Sequence, residues 1–251
     1  MPRVADASFD AMIFAAGLGT RLRPLTDRIP KALVPVGGVP MLERVARRLV
    51  EAGADRIVIN AHHHARQVVD FVRERDGFGV DCRMSVEEGS ALETGGGLRL
   101  AYERGLFRGD RPVLVHNADV LTDFPLDRLL AAQADSRPLA TLAVMDRDKS
   151  RALVFDDDGL YAAIGRDGAL HRAREPRGES VPLGFCGVHV ASAALLPRIT
   201  ETGVFSIVWT WLRLAGEGAR ILPYRIDDWS WIDVGSPEKL AEAEEKVAGT
   251  G

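Results

Sequence analysis

The segment Ala15-Ala16-Gly17-Leu18-Gly19-Thr20-Arg21-Leu22 stands directly behind a short apolar run, and Pro30-Lys31 follows it. Gly17 and Gly19 allow close backbone approach to a ligand, and the N–H groups from Ala16 to Thr20 can turn toward phosphate oxygens. Arg21 and Lys31 are the natural cationic partners for a triphosphate held in that cradle. No Gly-Lys-Ser/Thr follows, so this is not a Walker loop. Leu22 occupies the place of the third glycine of a dinucleotide fingerprint, which argues against a Rossmann dehydrogenase.

Three further segments carry candidate chemistry. His116-Asn117-Ala118-Asp119-Val120 ends an apolar strand, and ligands of open α/β sheets sit at such carboxyl ends, so Asp119 is expected over the site. Trp231-Ile232-Asp233-Val234-Gly235-Ser236-Pro237 puts a second aspartate just before a turn into a helix. Either aspartate alone reads as a helix or turn cap. In Glu87-Glu88-Gly89-Ser90-Ala91-Leu92-Glu93-Thr94-Gly95-Gly96-Gly97 the glycines read as a close-approach turn before a helix. There Thr94 can donate to a base or ribose, and the backbone at Gly95 can read a base edge. Glu88 could accept N3–H of uracil or pair with N1–H and N2–H of guanine, and chemistry alone does not choose.

The elements that must position these residues follow from periodicity. Ala11 to Ala15 reads as a strand, Met41 to Ala52 as a helix closed by Gly53, and Arg56 to Asn60 as a buried strand. A helix at Ala65 to Arg75, a strand near Val80 to Val86, a helix from about Gly97 to Arg104 and a strand at Pro112 to His116 continue the alternation. This predicts an α/β fold with a mostly parallel sheet covered by helices. After Leu139 to Met145, the short strands Leu153 to Phe155, Leu160 to Ile164 and Leu183 to Val190, with DDDG and RDG turns, read as antiparallel hairpins. A helix near Ser206 to Ala215, a strand near Arg220 to Ile226 and a final helix capped by Ser236 with Pro237 at its first position complete the chain.

Composition narrows the class. The chain has 251 residues, a net charge of −4 and 27% charged residues, so it lacks the broad basic surface of a non-specific nucleic-acid binder. No apolar run suffices for a membrane span, and the first ten residues lack a secretory h-region, so a cytoplasmic protein is expected. Cys82 and Cys186 are expected to be buried free thiols. His62-His63-His64 reads as a solvated loop, and Trp209 and Trp211 as packing residues.

The G-x-G-T-R loop with its downstream Pro-Lys resembles the sugar-1-phosphate nucleotidylyltransferases. The L-E-T-G-G-G, N-x-D-V-x-T-D and W-x-D-V-G-x-x-E-x-L segments look most like the N-acetylmuramate α-1-phosphate uridylyltransferases of cell-wall recycling. The resemblance implies one Rossmann-like nucleotidyltransferase domain over 1–251. Its nucleotide-binding half would span about 10–135, a small antiparallel sugar-binding half about 136–235, and a C-terminal helix 236–251. It implies Mg²⁺ on Asp119 and Asp233, and catalysis by Arg21, Lys31 and Asp119. Nucleotide contacts would come from Ala16, Gly17, Gly19, Thr20, Arg21, Lys31, Glu88, Thr94, Gly95 and Asn117, and sugar contacts from Asn117, Glu175 and Gly187. The implied reaction joins a nucleoside monophosphate from UTP to a sugar 1-phosphate, N-acetylmuramate 1-phosphate, with release of pyrophosphate. A guanylyltransferase acting on mannose or heptose 1-phosphate and a non-catalytic nucleotide-sugar-binding regulatory subunit stay open as alternatives. Two departures stand out. Ala118 replaces the family's usual glycine, and Arg174-Glu175-Pro176 stands where larger relatives have Glu-Lys-Pro, so their phosphate-binding lysine is missing.

Overall fold

The computed structural model describes residues 9–147 and 151–249. The chain begins with β1 (Asp10–Phe14), followed by the glycine loop, a hairpin of β2 (Pro35–Val36) and β3 (Val39–Pro40), and α1 (Met41–Glu51). Next come β4 (Arg56–Ala61), α2 (Ala65–Glu74), β5 (Asp81–Val86), α3 (Glu93–Glu103), β6 (Val113–Asn117), β7 (Val120–Thr122) and α4 (Leu126–Ser136). The second half holds β8 (Ala140–Met145), β9 (Ala152–Asp156), β10 (Gly159–Ile164), β11 (Leu170–Arg172), β12 (Val181–Ala191), α5 (Ile207–Gly216), β13 (Ile221–Arg225), β14 (Trp231–Asp233) and α6 (Pro237–Ala248). This is a mixed α/β architecture with a largely parallel centre, as the alternation predicts.

β1 lies between β4 and β6, parallel to both, which is where a strand apolar on both faces belongs. Side-chain alternation sends Ala11 and Ile13 into a core with Leu42, Val45 and Leu49 of α1, and Met12 into one with Leu98 and Trp211 on the other face. The main sheet runs β11-β10-β9-β12-β6-β1-β4-β5, with β8 joining β12 to β13. β12 is the hinge of this topology. It pairs with β6 through Val188–Ala191, with β8 on both sides of Gly187 (φ +74°), where the register shifts, and with β9 through Val181–Leu183.

Several elements differ from the sequence expectation. α3 begins at Glu93, so Gly95, Gly96 and Gly97 are its first turns and not a loop before it. A Cβ on Gly95 would run into the Phe205 ring, one on Gly96 would lie 2.5 Å from the Gly203 carbonyl, and one on Gly97 3.0 Å from the Glu87 carboxylate. Close packing against these neighbours outweighs glycine's poor helix propensity. α4 was not expected, and neither was the pairing of the three-residue strands β7 and β14. Among the described residues, no helix is long and apolar enough to cross a membrane.

Candidate active site

β1 delivers the chain to the glycine loop, which folds back on itself. Gly19 adopts φ +65°, and its carbonyl accepts from Leu22 N–H at 2.9 Å and from the Thr26 hydroxyl at 2.7 Å. A Cβ at Gly19 would lie 2.8 Å from Thr26 Cγ2 and 3.1 Å from Lys31 Cβ, so only glycine closes this turn against the lysine stem. Ala16, Gly17 and Thr20 lie along the same loop, with Gly17 and Thr20 exposed and Ala16 half-buried. A Cβ on Gly17 would touch Lys31 Cδ at 3.9 Å. The loop therefore packs around the lysine it precedes.

Lys31 Nζ is hydrogen-bonded to Asp119 Oδ2 and lies 3.9 Å from Asp233 Oδ1. The convergence of the two aspartates is made by backbone. Asp233 of β14 lies opposite Val120 of β7, and Val234 N–H donates to the Asp119 carbonyl at 2.8 Å. A neighbouring hydrogen bond from Ala118 N–H to the Phe14 carbonyl ties this segment to the end of β1. Arg21 arches over Gly235, where a Cβ would lie 2.5 Å from Arg21 Nη2 and 2.8 Å from Asp233 Oδ1.

Asp233 is not satisfied by the protein. Its Oδ1 is buried with no hydrogen-bond partner. Burial, then the Asp119 charge, push its carboxyl above the usual aspartate range, while Lys31, Arg21 and Arg147 pull the other way. A desolvated carboxylate beside a second one and a bare oxygen make a suitable hard donor set for a divalent cation. Among the described residues no cluster of three or more His, Cys, Asp or Glu forms, so any ion here would take its remaining ligands from water or substrate, as Mg²⁺ ordinarily does.

The other expected site residues divide. Asn117 ends β6 beside Gly187, at which a Cβ would lie 2.8 Å from Asn117 Nδ2, so these two share the rim with Asp119. Glu88 is exposed on the loop leading to α3, whereas its neighbour Glu87 is buried and accepts from Asn60 Nδ2 at 2.6 Å and Leu92 N–H at 2.8 Å. The Gly95 N–H is taken by the Phe205 carbonyl at 3.0 Å and so is not free for a base edge, whereas Thr94 Oγ1 accepts from Ile207 N–H at 3.1 Å, joining α3 to α5, and its own O–H can still donate. Glu175 is not brought to Asp119. Its neighbour Arg174 is clamped onto Asp156, at the outer end of β9.

The remaining sequence expectations are also placed. Trp211 is buried against Phe185 and His189, as core packing expects, whereas Trp209 is 47% exposed, its ring T-shaped to His171 at 5.0 Å. Cys186 is buried and Cys82 half-buried. Both are free, with thiols pushed up to about 12 by burial. His62, His63 and His64 sit in a half-buried loop, with His62 Nε2 2.8 Å from the Gly89 carbonyl.

Sequence reasoning missed Arg147 and Trp231. The Arg147 guanidinium lies 4.4 Å over the Trp231 ring and donates to the Phe185 carbonyl at 2.6 Å, and the Trp231 indole N–H is fixed by the Cys186 carbonyl at 2.8 Å. Trp231 and Asp233 are two apart on one strand and so share a face, which puts Arg147 beside the carboxylates. The position of Arg147 just beyond the end of β8 was the available signal.

Residues 10–164 match the nucleotidyl transferase family model. The chain belongs to this family. It is 35% identical over 95% of its length, and 96% of the relative's, to N-acetylmuramate alpha-1-phosphate uridylyltransferase of Caulobacter vibrioides. It is 30% identical to mannose-1-phosphate guanyltransferase of Gibberella zeae, covering 90% of this chain and 61% of that one. The fold is shared with a putative glucose-1-phosphate thymidylyltransferase from Bacillus anthracis, with a TM-score of 0.75 at 19% identity over 95% of each chain.

Proposed function

We propose that this nucleotidyltransferase makes a nucleotide sugar, transferring UMP from UTP to N-acetylmuramate 1-phosphate. The observation that carries the reaction class is the meeting of Lys31, Asp119 and Asp233 beside the glycine loop. The choice of UTP and of this sugar is supported by the near full-length similarity to the Caulobacter vibrioides relative of that name. The guanyltransferase similarity, at lower identity and with partial cover of the relative, supports a GTP-dependent second reading.

An oxygen of the sugar phosphate attacks the α-phosphorus of the nucleotide. The new P–O bond forms as the bond from the α-phosphorus to the bridging oxygen breaks, and pyrophosphate leaves with that electron pair. A phosphate monoester with a second pKa of about 6 is largely dianionic at neutral pH, so its oxygen needs no general base. Catalysis then rests on positioning and charge. The glycine loop cradles the triphosphate, Arg21 meets the charge growing on pyrophosphate, and Lys31 the transferred phosphoryl group. Asp119 and Asp233 are the residues that would hold Mg²⁺, which when bound supplies charge neutralisation on phosphate oxygens.

The test is pyrophosphate release from UTP and GTP in turn, each with N-acetylmuramate, N-acetylglucosamine, mannose and heptose 1-phosphates. UTP with N-acetylmuramate 1-phosphate should be fastest. Preference for GTP with mannose or heptose 1-phosphate would establish the second reading, and nucleotide binding without pyrophosphate release from any pair would make the chain a binding subunit.

A further inference from the structure

The missing lysine of the Glu-Lys-Pro motif leaves open which cations face the sugar substrate, and Arg174 is not one of them. Both its terminal nitrogens donate to the buried Asp156, at 2.7 Å each. Other arginines of the molecule are similarly engaged: Arg213 with Glu201, Arg108 with Asp10 and Asp55, Arg56 with Asp81. Arg147, Arg151 and Arg166 form no ion pair among the described residues, and what distinguishes them from other unpaired arginines such as Arg28 and Arg137 is where they stand.

Strand register brings these three together. Gly184 of β12 pairs with Met145 of β8, and its neighbour Leu183 with Leu153 of β9. Ala152 of β9 in turn pairs with Ile164 of β10. The three strand ends therefore meet at one level, and each arginine stands within two residues of its strand end. That level lies just outward of Gly187, where β12 meets Asn117. Arg174 and Glu175 belong to the opposite end of β9, about 15 Å further out along a five-residue strand. Arg147 is tied inward by its stacking on Trp231, and Gly184 is what admits it, since a Cβ there would lie 2.5 Å from Arg147 Nε. Arg151 and Arg166 are exposed. Burial, then the charges of Arg166 and Arg147, lower the Arg151 pKa, with only Glu93 of α3 opposing. Asp167, next to Arg166, is occupied in its own turn, accepting from Ala169 N–H at 3.1 Å.

Three guanidinium groups set against two carboxylates, Asp233 near Arg147 and Glu93 near Arg151, are short of negative charge until an anion arrives, even on a protein of net charge −4. In the reading above the triphosphate is already served by the glycine loop, Arg21 and Lys31. We propose that Arg147, Arg151 and Arg166 form a recess on the sugar side that takes a second anionic group of the substrate, a carboxylate carried by the sugar, in addition to the phosphate that reacts. Guanidinium forks suit a carboxylate. This rests on the transferase reading above and adds to it: the enzyme selects a sugar 1-phosphate bearing an acid, and a neutral sugar of the same size leaves the arginines unpaired.

The experiment compares N-acetylmuramate 1-phosphate, which carries a lactyl carboxylate, with N-acetylglucosamine 1-phosphate, which lacks it. Both are assayed with UTP by pyrophosphate release, in wild type and in the double variant Arg151→Gln/Arg166→Gln. Wild type should prefer the carboxylated sugar. The double variant should lose about tenfold or more of kcat/KM for it, mainly through KM, as expected when charge-assisted hydrogen bonds are removed. Turnover of N-acetylglucosamine 1-phosphate should change less than about twofold, which also reports that the variant is folded. Equal loss on both sugars would mean that the arginines act on the shared phosphate and would overturn the proposal, as would an unchanged ratio or a wild type indifferent to the carboxylate. Absence of pyrophosphate from either sugar with wild type would instead remove the transferase reading on which the proposal stands.

Discussion

Asp156 and Asp233 each end a strand beside cationic groups, and they have opposite fates. Asp156 is fully enclosed and accepts hydrogen bonds from both Arg174 nitrogens and from the backbone N–H groups of Arg177 and Asp158. The Arg174 bond, together with the two backbone bonds, holds its carboxyl down at about 2 against the penalty of burial. Asp233 has a buried oxygen with no hydrogen-bond partner and Lys31 Nζ only at 3.9 Å, a second carboxylate beside it, and a pKa moved upward. The first arrangement is complete without any other molecule and holds the β9–β10 hairpin in shape. The second is complete only when something positive is added. The same residue type is thus a structural tie at the end of β9 and an incompletely bonded carboxylate at the end of β14, and the difference lies in how many donors the fold supplies.

The comparison breaks most clearly on turnover. Asp119→Asn should reduce kcat by a hundredfold or more, about 3 kcal/mol, the scale of losing one preorganised electrostatic group, while leaving the melting temperature near wild type. Asp156→Asn should do the reverse, lowering stability with turnover per folded molecule little changed. Steady-state kinetics and thermal melts of the two variants separate these cases. Near-normal turnover in Asp119→Asn with Mg²⁺ present would remove the carboxylate pair from the mechanism.

Next in size is the acid response of Asp156. Its folded pKa of about 2 lies below the ordinary aspartate value of about 4, so the folded state favours the ionised form. The stability this contributes, about 2 kcal/mol, is present above the unfolded value near pH 4 and is lost as pH falls through about 2. Urea unfolding of wild type and Asp156→Asn across that range should converge at the acid end.

A smaller effect is expected at Gly235, where a Cβ would crowd Arg21 Nη2 and Asp233 Oδ1. The arginine tip is the end of a flexible side chain, so Gly235→Ala should cost little stability. It should displace the guanidinium from the site and lower kcat by about tenfold, since misplacement alone carries such losses. Equal activity in Gly235→Ala would mean that Arg21 does not work from this position.

Much of the site could be read before the structure. The glycine loop is legible because Gly17 and Gly19 stand behind an apolar strand, and Asn117 and Asp119 because they follow β6 at a sheet edge. Asp233 is different. Its meeting with Asp119 depends on β7 and β14, each three residues long and too short to show alternation, so only the family resemblance pointed to it. The glycines of α3 were misread because local propensity argues them out of helices, and the compensating approach of Phe205, Gly203 and Glu87 comes from distant sequence. α4 opens with Leu126 and Leu129 facing inward, but its remaining Ala, Asp and Gln residues give a weak stripe. The arginine recess is the product of pairing register among four strands, which no local pattern contains.

The smallest effect tests the Asp233 side of the comparison in isolation. Because its folded pKa is raised, the ionised Asp233 destabilises the folded state: the unfolded chain ionises first as pH rises past the ordinary aspartate value, and stability falls across that window. At neutral pH without metal, Asp233→Asn should therefore be slightly more stable than wild type. The gain should be small, because the side chain is 41% exposed and solvent screens its charge. Adding Mg²⁺ should reverse the order, raising the melting temperature of wild type and not of the variant, since only an ion held by the carboxylates stabilises the folded state. A wild type unmoved by Mg²⁺ in the presence of nucleotide would show that the bare oxygen of Asp233 is not a metal ligand.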